Sequence, residues 1–138
     1  MSAQRRVIIV GGVAGGMSAA TRLRRLDLDA HIVVLERSGY VSYANCGLPY
    51  YVGGVIADQA ALLLQTPESL DARFEIDVRT GAEVTSIDRS ARTVHVTTEN
   101  GGYDLEYDTL ILSPGAQPVV PPIPGIERAH TLRTVEDV

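Results

Sequence analysis

Apolar residues follow two different rhythms along this chain. Between positions 6 and 36, two short β-branched runs, VIIV and HIVVLE, flank a segment with apolar or small residues at Met17, Ala20, Leu23 and Leu26, close to the helical period of about 3.6. The runs predict strands buried on both faces and the segment between them a helix, together a right-handed βαβ unit. Residues 37–65 have no clear period and hold four glycines, which predicts a loop enclosing a short helix near Cys46. Thr66-Pro67-Glu68 supplies a hydroxyl N-cap, a proline at the first helical position and an acid in the first turn, so a helix is predicted from there to about Phe74. From Asp77 onward the pattern alternates: EVTSID, TVHVTTE and YDLEYDTLILS, separated by the turn-prone SAR and ENGG. This predicts an antiparallel meander whose last stretch, TLILS, returns to the parallel sheet. The tail from Pro114 holds five of the seven prolines and predicts a mostly extended connection.

Composition narrows the class. With 138 residues, 45% of them hydrophobic, the chain suits one domain with one core. No apolar run approaches the roughly 18 residues that a membrane span requires. The first apolar run breaks at once into glycines, unlike a secretory leader, so a cytoplasmic location is the expectation. The net charge of −5 argues against a general affinity for nucleic acid, although all twelve basic residues are arginine. A single cysteine excludes an intrachain disulfide framework and any multi-cysteine metal site; no metal is expected.

The junction between the first strand and helix carries glycines at 11, 12, 15 and 16. Such a turn leaves a helix N-terminus open, where unpaired N–H groups and the dipole favour a diphosphate. Glu36 ends the second strand, 20 residues after Gly16, placed to accept hydrogen bonds from a ribose hydroxyl. Against the GxGxxG template Gly11 and Gly16 fit, but the middle glycine is Val13. An adenine dinucleotide is the expected ligand of this turn, with a purely structural turn as the alternative; FAD and NAD are not separated by it.

The lone cysteine sits in SYANCGLPYY, residues 42–51. If Asn45 caps a short helix beginning at Cys46, the sulfur lies at the helix's positive end, which favours the thiolate. The alternative is an ordinary small core residue, the usual fate of a free cysteine. The neighbours Tyr43, Asn45, Gly47, Pro49 and Tyr50 do not make a core strand, and a glycine-rich loop past the second strand belongs near the carboxyl edge of the sheet.

Taken together, IVGGVAGGMSAATRLRRL, LER, SYANCGLPYYVGG, TPESLDARF and YDTLILSPGAQP closely resemble the FAD-binding region of single-cysteine pyridine nucleotide-disulfide oxidoreductases, above all the coenzyme A disulfide reductases. The resemblance spans essentially the whole chain. It implies an α/β fold, a Rossmann-like FAD/NAD(P)-binding domain with a βαβ start, a parallel sheet and an antiparallel β-meander. It also implies that Cys46 is the redox nucleophile, lying over the flavin and receiving electrons delivered by NAD(P)H. Two-cysteine relatives carry a partner thiol five residues on, where this chain has Tyr51. The sulfur's partner would then come from coenzyme A disulfide, a persulfide or peroxide.

Several further roles come from the resemblance alone. The FAD contacts it implies are Gly11, Gly12, Val13, Ala14, Gly15, Gly16, Glu36, Arg37, Asn45, Val84, the strand-end turn Ser113, Pro114, Gly115 and Ala116, and Arg133. Peroxidases and many oxidases of the family place a histidine in the glycine turn; here the matching residue is Ala14, which favours the coenzyme A reductases. Ser18, Arg22 and Arg25, spaced i, i+4, i+7, form one helix stripe suited to the phosphates of coenzyme A, with a solvated face as the alternative. The resemblance assigns substrate contacts to this stripe and to Ser42 and Asn45. Phe74 stands where some relatives have a lysine, which removes one phosphate contact. NAD(P)H-binding and dimerisation domains are not among these 138 residues, so the chain reads as an incomplete N-terminal FAD-binding domain of a homodimeric enzyme. By itself it is expected to hold FAD weakly or not at all. A non-catalytic nucleotide-binding module and an NADH oxidase or peroxidase are the competing readings.

Overall fold

The computed structural model describes residues 4–138. Strand β1 (Arg6–Val10) leads through the glycine turn into helix α1 (Ala14–Leu26) and strand β2 (His31–Leu35). The one-turn helix α2 (Leu48–Val52) and helix α3 (Pro67–Phe74) precede β3 (Ile76–Arg79). The meander β4 (Glu83–Asp88), β5 (Thr93–Thr98) and β6 (Gly101–Glu106) comes next, and β7 (Thr109–Leu112) closes the regular structure. A four-stranded parallel sheet has the order β3-β2-β1-β7, and β4-β5-β6 form a separate antiparallel sheet.

Alternate residues of β1 and β2 serve different cores, which is why both runs are continuously apolar. Val7, Ile9, Ile32 and Val34 meet Met17 and Ala20 of α1 and Leu70 of α3. Ile8, Val33 and Leu35 face Val94 and Val96 of the meander. The result is three layers, helices on one face of the parallel sheet and the antiparallel sheet on the other. At the end of β3, Arg79 donates to both oxygens of Asp77 and to the Tyr103 hydroxyl at 3.2 Å, tying the parallel sheet to β6.

Three features differ from the sequence expectation and one matches it. Strand β3 runs parallel to β2, with Ile32 opposite Ile76 and Leu35 opposite Arg79. Its four residues alternate like the meander beyond it, and only pairing across the sheet separates them from it. As expected, TLILS returns to the parallel sheet as β7 beside β1; the break from β6 falls where Asp108 accepts from the Arg6 N–H at 2.7 Å and so pins the start of β7 to β1. Leu26 is 68% exposed, because it ends α1 beyond the sheet. Arg24, on that same last turn, is the residue that turns inward, donating to the carbonyls of Phe74, Glu75, Leu28 and Ala30 at 2.7–2.9 Å and closing the ends of both α1 and α3. Finally, the tail is not merely extended: its last residues form a 3-10 turn, Val135–Asp137, that buries Val135 to 1% exposure.

The α3 start matches expectation, with Thr66 and Ser69 forming a reciprocal capping box and Pro67 at the first helical position. Phe74 packs against the helix-side core and Arg73 stacks over its ring at 5.3 Å. Among the described residues no helix is long and apolar enough to cross a membrane, and no group of His, Cys, Asp and Glu is placed to hold a metal ion.

Candidate functional site

Because all four strands of the larger sheet run the same way, their carboxyl ends meet along one edge, where chain reversals leave a crevice. Val10, Leu35 and Leu112 end there in register. The residues just beyond these three strand ends build the site: the glycine turn after β1, Glu36 after β2, and Ser113–Ala116 after β7.

Steric crowding explains the first turn. Gly11 has φ +100°, and a Cβ on it would lie 2.0 Å from the Ser113 carbonyl oxygen. A Cβ on Gly16 would lie 1.8 Å from the Gly11 carbonyl oxygen. These two positions therefore accept glycine alone. Val13, where the template has glycine, stands as N-cap of α1 and packs against the small core beneath the cysteine segment, so its side chain is accommodated. No side chain caps this helix and no acid lies in its first turn. Its N-terminal N–H groups thus remain the natural partners of an anion.

Glu36 is 8% exposed and holds the turn together. One carboxylate oxygen accepts from the Gly12 N–H at 2.7 Å and the other from the Ser38 N–H at 2.9 Å. Its backbone is fixed as well: its N–H donates to Arg79 O at 2.9 Å, and its carbonyl accepts from the Ala82 N–H at 3.0 Å. The sequence suggests a free ribose acceptor; the structure gives Glu36 an internal clamping duty too. An ionised carboxylate offers about four lone-pair directions, so two remain for a ligand.

Two cavities flank Glu36. The larger, about 290 Å³, is lined by Val13, Ala14 and Gly15 of the helix start, by Glu36, Arg37, Tyr43 and Asn45, by Ser113–Ala116, and by Arg133, Thr134 and Asp137. The smaller, about 130 Å³, is lined by Gly11, Glu36, Arg37, Ala82, Val84 and Pro114. Glu36, Arg37 and Pro114 border both, making one trough with a main chamber and a smaller side chamber, each of mixed polar and apolar lining. Gly12 and Gly16 are buried in the turn behind the lining. Such a trough fits a dinucleotide: an uncapped helix start for the diphosphate, carboxylate oxygens for a ribose and a small side chamber beside Ala82 and Val84 for a flat base.

Other expected residues lie elsewhere. Ser18, Arg22 and Arg25 are all exposed on one side of α1 and border neither cavity. Ser42 adopts φ +48° and donates its N–H to Gly12 O at 2.8 Å, so it braces the turn from outside. Cys46 is exposed, one residue beyond the cavity-lining Asn45. The expected Asn45 cap is absent. Ala44 occupies the N-cap of a 3-10 turn, Asn45–Gly47, that runs directly into α2, and no side chain caps it. The reason is local: Asn45 lies within the turn, one residue past its N-cap Ala44, and is itself one of the cavity-lining residues.

The sequence pattern did not reveal Tyr43, Thr134 and Asp137 as lining residues. Burial raises the Tyr43 phenol above its usual pKa, the nearby Glu36 carboxylate adding to this, so it remains a neutral hydrogen-bonding group. Asp137 accepts from the Thr134 N–H at 2.8 Å and the Arg133 N–H at 2.6 Å, bonds that hold its carboxyl below the ordinary carboxylate range. The pattern Thr134-x-x-Asp137 is a helix-start signature that could have flagged this turn.

Comparison with known proteins gives the family of this chain. The family model for pyridine nucleotide-disulphide oxidoreductases matches residues 5–138. A coenzyme A disulfide reductase of Staphylococcus epidermidis is 45% identical over 113 residues, covering 80% of this chain and 26% of that protein. The crystal structure of reduced Bacillus anthracis CoADR-RHD superposes with a TM-score of 0.92 at 50% identity, over 97% of this chain and 25% of that one. A NAD-dependent persulfide reductase from A. fulgidus does so with 0.87 at 40% identity, over 96% and 26%. The chain thus spans about a quarter of the length of these relatives. On the strength of the family match across nearly all its residues, the chain belongs to the pyridine nucleotide-disulphide oxidoreductase family.

Proposed function

We propose that this chain is the FAD-binding, thiol-bearing part of an NAD(P)H-dependent reductase that acts on coenzyme A disulfide or coenzyme A persulfide through Cys46. The observation that carries it is the adjacency of an exposed lone thiol to a trough built for a dinucleotide: Asn45 lines the trough and Cys46 is the next residue. FAD in the trough would supply the relay between a two-electron hydride donor and sulfur. The N–H groups from Ala14 onward would hold its diphosphate, Glu36 and Arg37 its ribose, and the Val84 backbone its adenine. Ser113–Ala116 approach it with their backbone, and Arg133, whose Nε is held by Ala116 O at 3.1 Å, adds positive charge.

The chemistry of the thiol is that of disulfide exchange. The Cys46 thiolate attacks one sulfur of coenzyme A disulfide, forming a mixed disulfide and expelling one coenzyme A thiolate. Two electrons cleave the mixed disulfide, releasing the second thiolate and restoring Cys46. Ser18, Arg22 and Arg25, with Ser42 and Asn45, are the proposed contacts to the substrate; guanidinium groups in a row suit its phosphates. None of the three histidines borders the trough: His31 opens β2 at the opposite edge, His95 pairs with Asp104 at 2.6 Å on the meander, and His130 is exposed. That arrangement favours disulfide over peroxide, whose cleavage benefits from a nearby acid. The same reading places the enzyme in the reducing cytoplasm, as a homodimer associating through residues outside this chain.

Intact-mass measurement after treatment with coenzyme A disulfide tests the reading. One coenzyme A adduct is expected on the chain and none on Cys46→Ser; an unmodified Cys46 would overturn it.

A further inference from the structure

The turn that carries Cys46 has no side-chain cap and is flanked on its C-terminal side only by the one-turn α2, so its position depends on what it rests upon. Beneath it lies a small core of Tyr43, Leu48, Leu62 and Val135, with Val135 1% exposed. Gly47 sits directly on this core: a Cβ there would lie 2.7 Å from Leu62 Cδ2. The Ala44 N–H donates to Leu62 O at 2.8 Å, fixing the start of the turn to the same support. Three of the four core residues come from positions 43–62, and the fourth arrives from the tail about seventy residues later.

That tail is tied down at both sides of the trough. Arg133 Nε donates to Ala116 O at 3.1 Å on one side, and Glu136 Oε1 accepts from the Gly39 N–H at 3.1 Å on the other. Between them the Thr134–Asp137 capping box makes a stiff 3-10 turn that presents Val135 to the core.

We propose that Val135 is a positioning residue for Cys46, with Glu136 its second tie, so that tail docking sets where the thiol stands relative to the trough. This rests on Cys46 being the redox centre. Arg133 lines the trough while Val135, two residues on, supports the thiol turn, so a ligand that orders the tail also orders the turn. Val135 acts through its packing with Tyr43, Leu48 and Leu62, and Glu136 through its bond to the Gly39 N–H in the loop before them.

Amide exchange and Cys46 alkylation by iodoacetamide on the full 138-residue chain test this. Val135→Ala is expected to speed exchange of the Gly47 and Ala44 amides by about tenfold, a local opening without loss of the fold, and to change the alkylation rate of the exposed Cys46 by about threefold as its turn shifts on the weakened support. Val135→Ile should restore both rates. Val94→Ala, an equal truncation in the meander-side core, should lower the melting temperature and leave the alkylation rate unchanged. If Val135→Ala does not fold, Glu136→Ala at the surface should still raise Gly47 exchange by about twofold. Unchanged Gly47 exchange and alkylation in the folded variants would overturn the proposal, as would an equal effect of Val94→Ala. Absence of a coenzyme A adduct would instead count against Cys46 as redox centre, leaving the coupling measured by exchange intact.

Discussion

The two sides of the trough are built on different principles. The glycine-turn side is held by backbone sterics and one buried carboxylate. Its two tightest glycines admit no Cβ, and Glu36 satisfies the buried Gly12 N–H and the half-buried Ser38 N–H at once. The thiol side has no such clamp. It is a short 3-10 turn laid on four apolar side chains, with the tail added through hydrogen bonds at exposed positions. A diphosphate needs donors fixed to within tenths of an ångström, which rigid backbone provides. A sulfur that must alternate between partners can tolerate a support that breathes, because packing of a few side chains resists displacement less steeply.

Substitutions can break that contrast or sharpen it. The largest effect is expected from Gly16→Ala, whose Cβ has no room beside the Gly11 carbonyl. A loss of about 3 kcal/mol in urea-induced unfolding is expected, an overpacking cost at its upper range. A variant of native stability would mean that the turn is less rigid than its geometry implies. Next in size is Glu36→Gln, which keeps one acceptor where two are used. Leaving a buried N–H unpaired should cost about 1–3 kcal/mol in the same measurement. Equal stability would make Glu36 a ligand group only.

The smallest effect belongs to the thiol side and to acid. Asp137 titrates below its ordinary range because the Thr134 and Arg133 N–H groups favour its charged form. A depressed folded-state pKa gives stability that is present above the unfolded value, about 3.9, and is lost as pH falls through the folded value. The Thr134 and Arg133 amide resonances should therefore shift only at pH values below the usual carboxylate range, and Asp137→Asn should abolish the shift. Titration at the ordinary value would show the tail turn to be loose. Because Asp137 is exposed, overall stability should scarcely change.

The same contrast governs which parts of the fold were legible in the sequence. The βαβ start, the α3 capping box and the glycine turn were legible because each is dictated by neighbours in sequence: β-branched runs, a hydroxyl before proline, glycines where no Cβ fits. Strand β3 was not, since IDVR alternates like a meander strand and becomes parallel only by pairing with Ile32–Leu35. Arg24 offered no signal either. Its spacing is that of a surface residue, yet its guanidinium gathers carbonyls from residues 28–30 and 74–75.

By itself the sequence determined the βαβ start, the helix start open to an anion and the single thiol in the loop beyond β2, because backbone sterics and burial periodicity act over a few residues. Only the tertiary structure decided that Glu36 clamps the turn, that Asn45 lines the trough instead of capping, and that Val135 returns to pack in one cluster with Tyr43, Leu48 and Leu62. Those outcomes depend on contacts between segments far apart in the chain, and no local pattern encodes which distant carbonyl, amide or methyl group will be waiting there.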